Sequence, residues 1–95
     1  MSHQAVEARL DCRVTGRVQG VGFRWWTLQI ARRFQLRGSI RNCEDGSVEV
    51  RVAGGREGID GLRSALRRGP PAARVDEVRD IPPDGDLPPE FRIEG

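Results

Sequence analysis

An α+β domain is the fold class this sequence predicts, and three observations predict it. Leu10, Cys12 and Val14 alternate with Arg9, Asp11 and Arg13, the two-residue period of a half-buried strand. Phe23, Trp26, Ile30 and Phe34 recur at three- and four-residue steps, the period of a helix with one apolar face. Val48, Val50 and Val52 alternate with Glu49 and Arg51 directly after Asp45-Gly46, a hairpin signal. The resulting order, βαββαβ with a short extra strand, is the ferredoxin-like plan: an antiparallel sheet with two helices on one face.

Each element follows from its own residues. The first strand covers about residues 7–15. The first helix covers about 22–36 and ends before Gly38. A short strand around Ile40 and the Val48 to Val52 run form the hairpin. Ile59, Leu62, Ala65 and Leu66 give the second helical stripe, which Arg67-Arg68-Gly69-Pro70-Pro71 stops with cations, a glycine and prolines in succession. A strand over roughly Arg74 to Ile81 follows. A Pro/Gly/Asp loop then runs to Pro89, and Phe91 and Ile93 mark the short terminal strand.

Composition limits what such a domain can be. At 95 residues the chain fits a single domain, with a core over about 7–94 and a flexible tail over 1–6. With 37% hydrophobic and 32% charged residues and no long apolar run, it is expected to be cytoplasmic, with no membrane partner. Sixteen basic residues, all arginine, nearly balance fourteen acids and are spread along the chain, so no basic block marks a nucleic-acid partner. His3 is the only histidine, and Cys12 and Cys43 the only cysteines, which do not make a metal site. Cys12 has the parity of a small core residue. Cys43 lies beside the second motif described below, and a disulfide between the two is disfavoured in a reducing compartment.

Chemistry concentrates in Gly16-Arg17-Val18-Gln19-Gly20-Val21-Gly22-Phe23-Arg24. Its glycines stand between a strand and a helix, where successive N–H groups can turn toward one point and the helix start adds unpaired donors. Arg24 adds a planar fork that matches two oxygens of a phosphate or carboxylate. With no lysine, this is not a nucleotide P-loop. Read alone, the segment is either an anion cradle or a plain tight connection.

In the predicted topology the first and second strands run the same way with the third between them. The end of the second strand, Asn42, therefore lies about 10 Å from the loop, two strand spacings away. Asn42 has the parity of Ile40 and faces the helix-covered side. It either shares a small ligand with the loop or only stabilises the hairpin entry. Arg17 reads as a solvated charge, Phe23 and Trp26 as core, and Thr27 either as support for the site or as a hydroxyl bonded to its own helix.

Taken together, the Gly16 to Arg24 segment, Gly38-Ser39-Ile40-Arg41-Asn42 and Asp45-Gly46-Ser47-Val48-Glu49 resemble the acylphosphatase family, over about residues 8–93 and including Gly69 to Val75. The resemblance implies hydrolysis of acyl phosphates to a carboxylate and inorganic phosphate without metal or other cofactor. It implies that Arg24 and the backbone amides of Gln19, Gly20, Val21, Gly22 and Phe23 bind the phosphoryl group and that Asn42 orients the attacking water. The sequence departs from the family pattern at Ser39 and Trp25, which bears on substrate affinity or local packing.

A monomer acting on a small acyl phosphate is the expectation. Two other classes stand beside it. One is an anion-sensing domain, or a domain acting within a larger maturation enzyme of the carbamoyl-phosphate type. The other is an RNA-binding module, against which the outward positions Arg9, Asp11, Arg13, Glu49 and Arg51 offer no aromatic platform.

Overall fold

The structure is a computed structural model and describes residues 7–95; the expected tail over 1–6, with His3, lies outside the described residues. The elements are β1 (Glu7–Arg17), α1 (Phe23–Arg33), β2 (Arg37–Asn42), β3 (Val48–Gly55), α2 (Arg56–Arg68), β4 (Arg74–Asp80) and β5 (Phe91–Glu94). They form one five-stranded sheet in the order β4-β1-β3-β2-β5. Leu10, Cys12 and Val14 of β1 stand opposite Val52, Val50 and Val48 of β3, and Ile40 of β2 stands opposite Val50. This apolar face packs against Phe23, Leu28 and Ala31 of α1 and Ile59, Leu62 and Leu66 of α2. The fold is therefore the ferredoxin-like α+β sandwich.

Three local features differ from the sequence expectation, each for a physical reason. β1 runs on to Arg17 because its pairing with β4 shifts register between Thr15 and Gly16. Gly16 has φ 125°, and a Cβ there would lie 2.1 Å from the Arg74 carbonyl oxygen. α1 ends at Arg33 rather than near residue 36. Gln35, at φ 58°, takes the left-handed position that usually goes to glycine, and the N–H groups of Gln35 and Leu36 donate to the carbonyls of Arg32 and Ala31. Gly38 then serves the sheet instead of the helix end, since a Cβ there would meet the Arg51 carbonyl oxygen at 1.9 Å. Finally, β5 pairs with β2 in parallel, so the sheet is mixed rather than purely antiparallel.

β4 and β5 lie at opposite edges, so the chain between them must cross the sheet. It crosses on the face away from the helices, where arginines hold its carbonyls. Arg51 donates to Pro82 O at 3.1 Å, Arg9 to Asp84 O and Gly85 O at 2.9 Å each, and Arg37 to Leu87 O at 3.1 Å. Beneath this strap Asp11 accepts from Arg9 and Arg51, each at 2.7 Å. Glu49 accepts from Arg51 at 2.9 Å, Arg41 at 3.1 Å and Arg13 at 3.2 Å. Both acids, expected at outward positions, are buried, at 5% and 7% exposure.

Glu49 shows which effect wins. Burial raises its carboxyl pKa, but the hydrogen bonds from Arg51, Arg41 and Arg13 outweigh that and hold it below its ordinary 4.5. A depressed folded-state pKa gives stability that is present above the unfolded-state value and is lost as pH falls through the folded one. Urea unfolding should therefore show wild-type stability declining below about pH 4.5. Glu49→Gln should cost about 1–3 kcal/mol at pH 7, because three partly exposed arginines lose a charged acceptor, and should flatten the acid decline. An unchanged acid profile in this variant would rule out Glu49 as its source.

Candidate active site

The site is built by the chain's route from β1 into α1. Gly20 and Gly22 have φ 76° and 77°, left-handed values that let the backbone fold back on itself before the helix. Gly22 is the N-cap residue of α1, and the helix has neither a side-chain cap nor an acid in its first turn. Its first N–H groups and the positive end of its dipole therefore remain available to an external acceptor. Trp26 N–H closes the first helical bond, to Gly22 O at 3.0 Å.

A pocket of about 180 Å³ opens at this point. Gly20, Gly22, Phe23 and Arg24 line it together with Asn42, from the end of β2. The Asn42 amide oxygen is buried and accepts no hydrogen bond from the described residues. Burying an acceptor in this way is costly unless something donates to it. Arg24 is half-buried, and its Nη1 donates to the main-chain oxygen of Gly95 at 3.1 Å. Asn42 stands opposite Val48, on the helix-covered face as its parity requires.

Five of the residues singled out in the sequence thus meet in one pocket: Gly20, Gly22, Phe23, Arg24 and Asn42. Two do not line it. The Val21 side chain packs against the core. The Gln19 side chain reaches the hairpin, where its Nε2 donates to Cys43 O and Ser47 O, both at 2.9 Å. Two carbonyl acceptors fix which end of this amide carries the NH₂ group. Gln19 thereby ties the loop to the turn that follows Asn42, a contact that no sequence period signals.

Val18 and Ile93 also line the pocket, and neither was foreseen. Trp25, noted only as a departure from the family pattern, lines it too. Ser39, the other departure, has the parity of Arg41, pairs with Arg51 and Arg92, and lies on the opposite face of the sheet from the pocket. Thr27 is fully buried, and its hydroxyl reaches neither the site nor a backbone acceptor.

The hairpin turn is itself well tied. Asp45 accepts from the Ser47 hydroxyl at 2.6 Å and its N–H at 3.0 Å, and these bonds hold its carboxyl below the ordinary carboxylate value. Cys12, fully buried, has its thiol pushed up to about 12 by burial, so it is no nucleophile at neutral pH. A larger hollow of about 430 Å³ lies at the other end of the sheet, but its Arg37 is paired with Glu7 and its Arg32 donates to Phe91 O.

Fold and pocket together define an α+β sandwich with a glycine-rich loop at an uncapped helix start. Comparison with known proteins narrows this. The acylphosphatase family model matches residues 10–93. The chain is 50% identical over 84 residues to an acylphosphatase of Koribacter versatilis, covering 86% of this chain and 76% of that one. It is 49% identical over 69 residues to an acylphosphatase of Nitrobacter winogradskyi, covering 73% and 70%. The acylphosphatase structure from Coxiella burnetii superposes with a TM-score of 0.81 at 34% identity, covering 93% of each chain. The chain belongs to the acylphosphatase family. The same fold also matches 12% of the much longer HypF of T. kodakarensis, with a TM-score of 0.76 at 34% identity.

The Gln19 contact makes a testable prediction. A carboxylate at this position faces two carbonyl oxygens and cannot donate, so Gln19→Glu should lose about 1–2 kcal/mol relative to wild type at pH 7. The new carboxyl should have a raised pKa, and the deficit should shrink as pH falls and it protonates. Equal stability of the two proteins in urea at pH 7 would mean that the contact carries no weight.

Proposed function

We propose that this pocket hydrolyses the carboxyl–phosphate bond of a small acyl phosphate, releasing a carboxylate and inorganic phosphate. The observation that carries the reading is that Asn42, whose amide oxygen is buried without a partner, lines one small pocket together with Arg24 and an uncapped helix start. The loop amides from Gln19 to Phe23 and the Arg24 guanidinium hold the phosphoryl oxygens. The guanidinium exchanges its contact with the Gly95 main-chain oxygen for one with the substrate.

Asn42 has no useful basicity near neutral pH, so it orients water rather than deprotonating it. Its amide oxygen accepts one water hydrogen, which aims a lone pair of the water oxygen at phosphorus. The new P–O bond forms as the bond from phosphorus to the acyl oxygen breaks, and the electron pair leaves with the carboxylate. The second water proton passes to a phosphoryl oxygen. A carboxylate is a good leaving group, so this loose transfer needs positioning and charge stabilisation more than a general acid. The proposed step uses no metal and no cofactor.

The setting is read on the same footing. The chain is taken as one domain and a monomer. Among the described residues no helix is long and apolar enough to cross a membrane, and the free thiols of Cys12 and Cys43 fit the reducing cytoplasm. The face of the sheet away from the helices carries paired charges under a strap instead of stacking aromatics, which argues against a nucleic-acid partner.

Benzoyl phosphate hydrolysis in EDTA tests the assignment. Wild type should turn over. Arg24→Ala should lose both turnover and inorganic phosphate binding, the latter by roughly 10–100-fold. Asn42→Ala should lose turnover by about 10²-fold or more while still binding phosphate. Equal loss of phosphate affinity in both variants would refute this division of roles, and activity that chelation stops and magnesium restores would refute the metal-free step.

A further inference from the structure

We infer that Trp25 gives this enzyme a preference among acyl groups, favouring an aromatic one over a small or polar one. The inference rests on the hydrolase reading above and extends it to the other half of the substrate.

Three large hydrophobic side chains among the described residues are exposed: Trp25 at 59%, Phe34 at 39% and Ile93 at 37%. Phe34 has a packing role. It lies against α2, where a Cβ at Gly61 would fall 2.5 Å from its ring. Trp25 and Ile93 both border the pocket. Leaving an indole this exposed forgoes most of its burial energy, so its place beside a binding pocket points to a contact made with ligand.

The remaining lining supports the same conclusion by elimination. Arg24 is its only charged residue and Asn42 its only side-chain amide, and the phosphoryl group and the attacking water engage both. The Trp25 indole N–H is then the one side-chain donor left to the acyl portion, and the lining offers no further side-chain acceptor. A polar acyl group would therefore exchange water for mostly apolar surface, whereas an aromatic one gains the largest contact with Trp25 and Ile93.

The test compares kcat/KM for benzoyl, acetyl and carbamoyl phosphates in wild type, Trp25→Ala and Trp25→Phe, with inhibition by inorganic phosphate measured alongside. Trp25 is exposed, so both variants should fold. Trp25→Ala should lower the benzoyl-to-acetyl ratio by about fivefold, through a larger loss on benzoyl than on acetyl or carbamoyl phosphate, and leave phosphate inhibition unchanged. Trp25→Phe should restore most of the ratio. Taking ratios between variants cancels the intrinsic reactivity of each anhydride. An unchanged ratio in Trp25→Ala, or equal losses on all three substrates, would overturn the inference while leaving the hydrolase reading intact. A folded wild type that hydrolyses none of the three would overturn the hydrolase reading and the inference together.

Discussion

Because β3 lies antiparallel between β1 and β2, those two strands run in the same direction and end at the same edge of the sheet. Everything at the site depends on that constraint. β1 leads into the glycine loop and α1, and β2 ends at Asn42, so residues 18 positions apart in sequence reach one pocket from two directions. Strand spacing sets their separation, and the Gln19 amide then ties the loop to the hairpin. A site held by a sheet and a cross-link in this way gains most of its order from the fold, as catalysis by positioning requires.

The other face of the sheet meets a different problem with the same residue type. With two helices on one side only, the second face would lie open to water. Instead the chain between β4 and β5 crosses it; Arg9 of β1 and Arg51 of β3 bond both to that strap and to the buried acids below, and Arg37 of β2 holds the strap at Leu87 O. Arginine suits this work because its planar fork offers several donors at fixed angles, so Arg51 can serve Asp11, Glu49 and Pro82 O together. Buried charges are retained at low cost only when fully partnered, and Glu49 has three arginine partners.

Much of this was legible in the sequence, because apolar alternation and helical spacing report directly on which face is buried. The strands, both helices, the hairpin and the loop-plus-Asn42 pairing all follow from such patterns. What escaped depends on contacts between distant segments. Gln35 in a left-handed position shortened α1 where Gly38 seemed the natural stop. The parallel pairing of β5 with β2 leaves no local mark in four residues. Asp11 and Glu49 have the parity of surface residues and become buried only because a loop seventy residues and more from Asp11 lies across them. The Gln19 side chain looks like one more loop residue until the hairpin is placed beside it, and Trp25 and Ile93 share a pocket only once β5 is docked beside β2.

The central claim is that the amides between β1 and α1, together with Arg24 and Asn42, form the phosphoryl site. Titrating inorganic phosphate into ¹⁵N-labelled protein and following amide and side-chain NMR signals tests it most directly. The account predicts saturable shifts centred on Gln19 to Arg24, with the Asn42 side-chain amide moving on the same binding curve. Shifts centred instead on Arg32, Arg37 and their neighbours at the far end of the sheet, with the glycine loop unmoved, would contradict it.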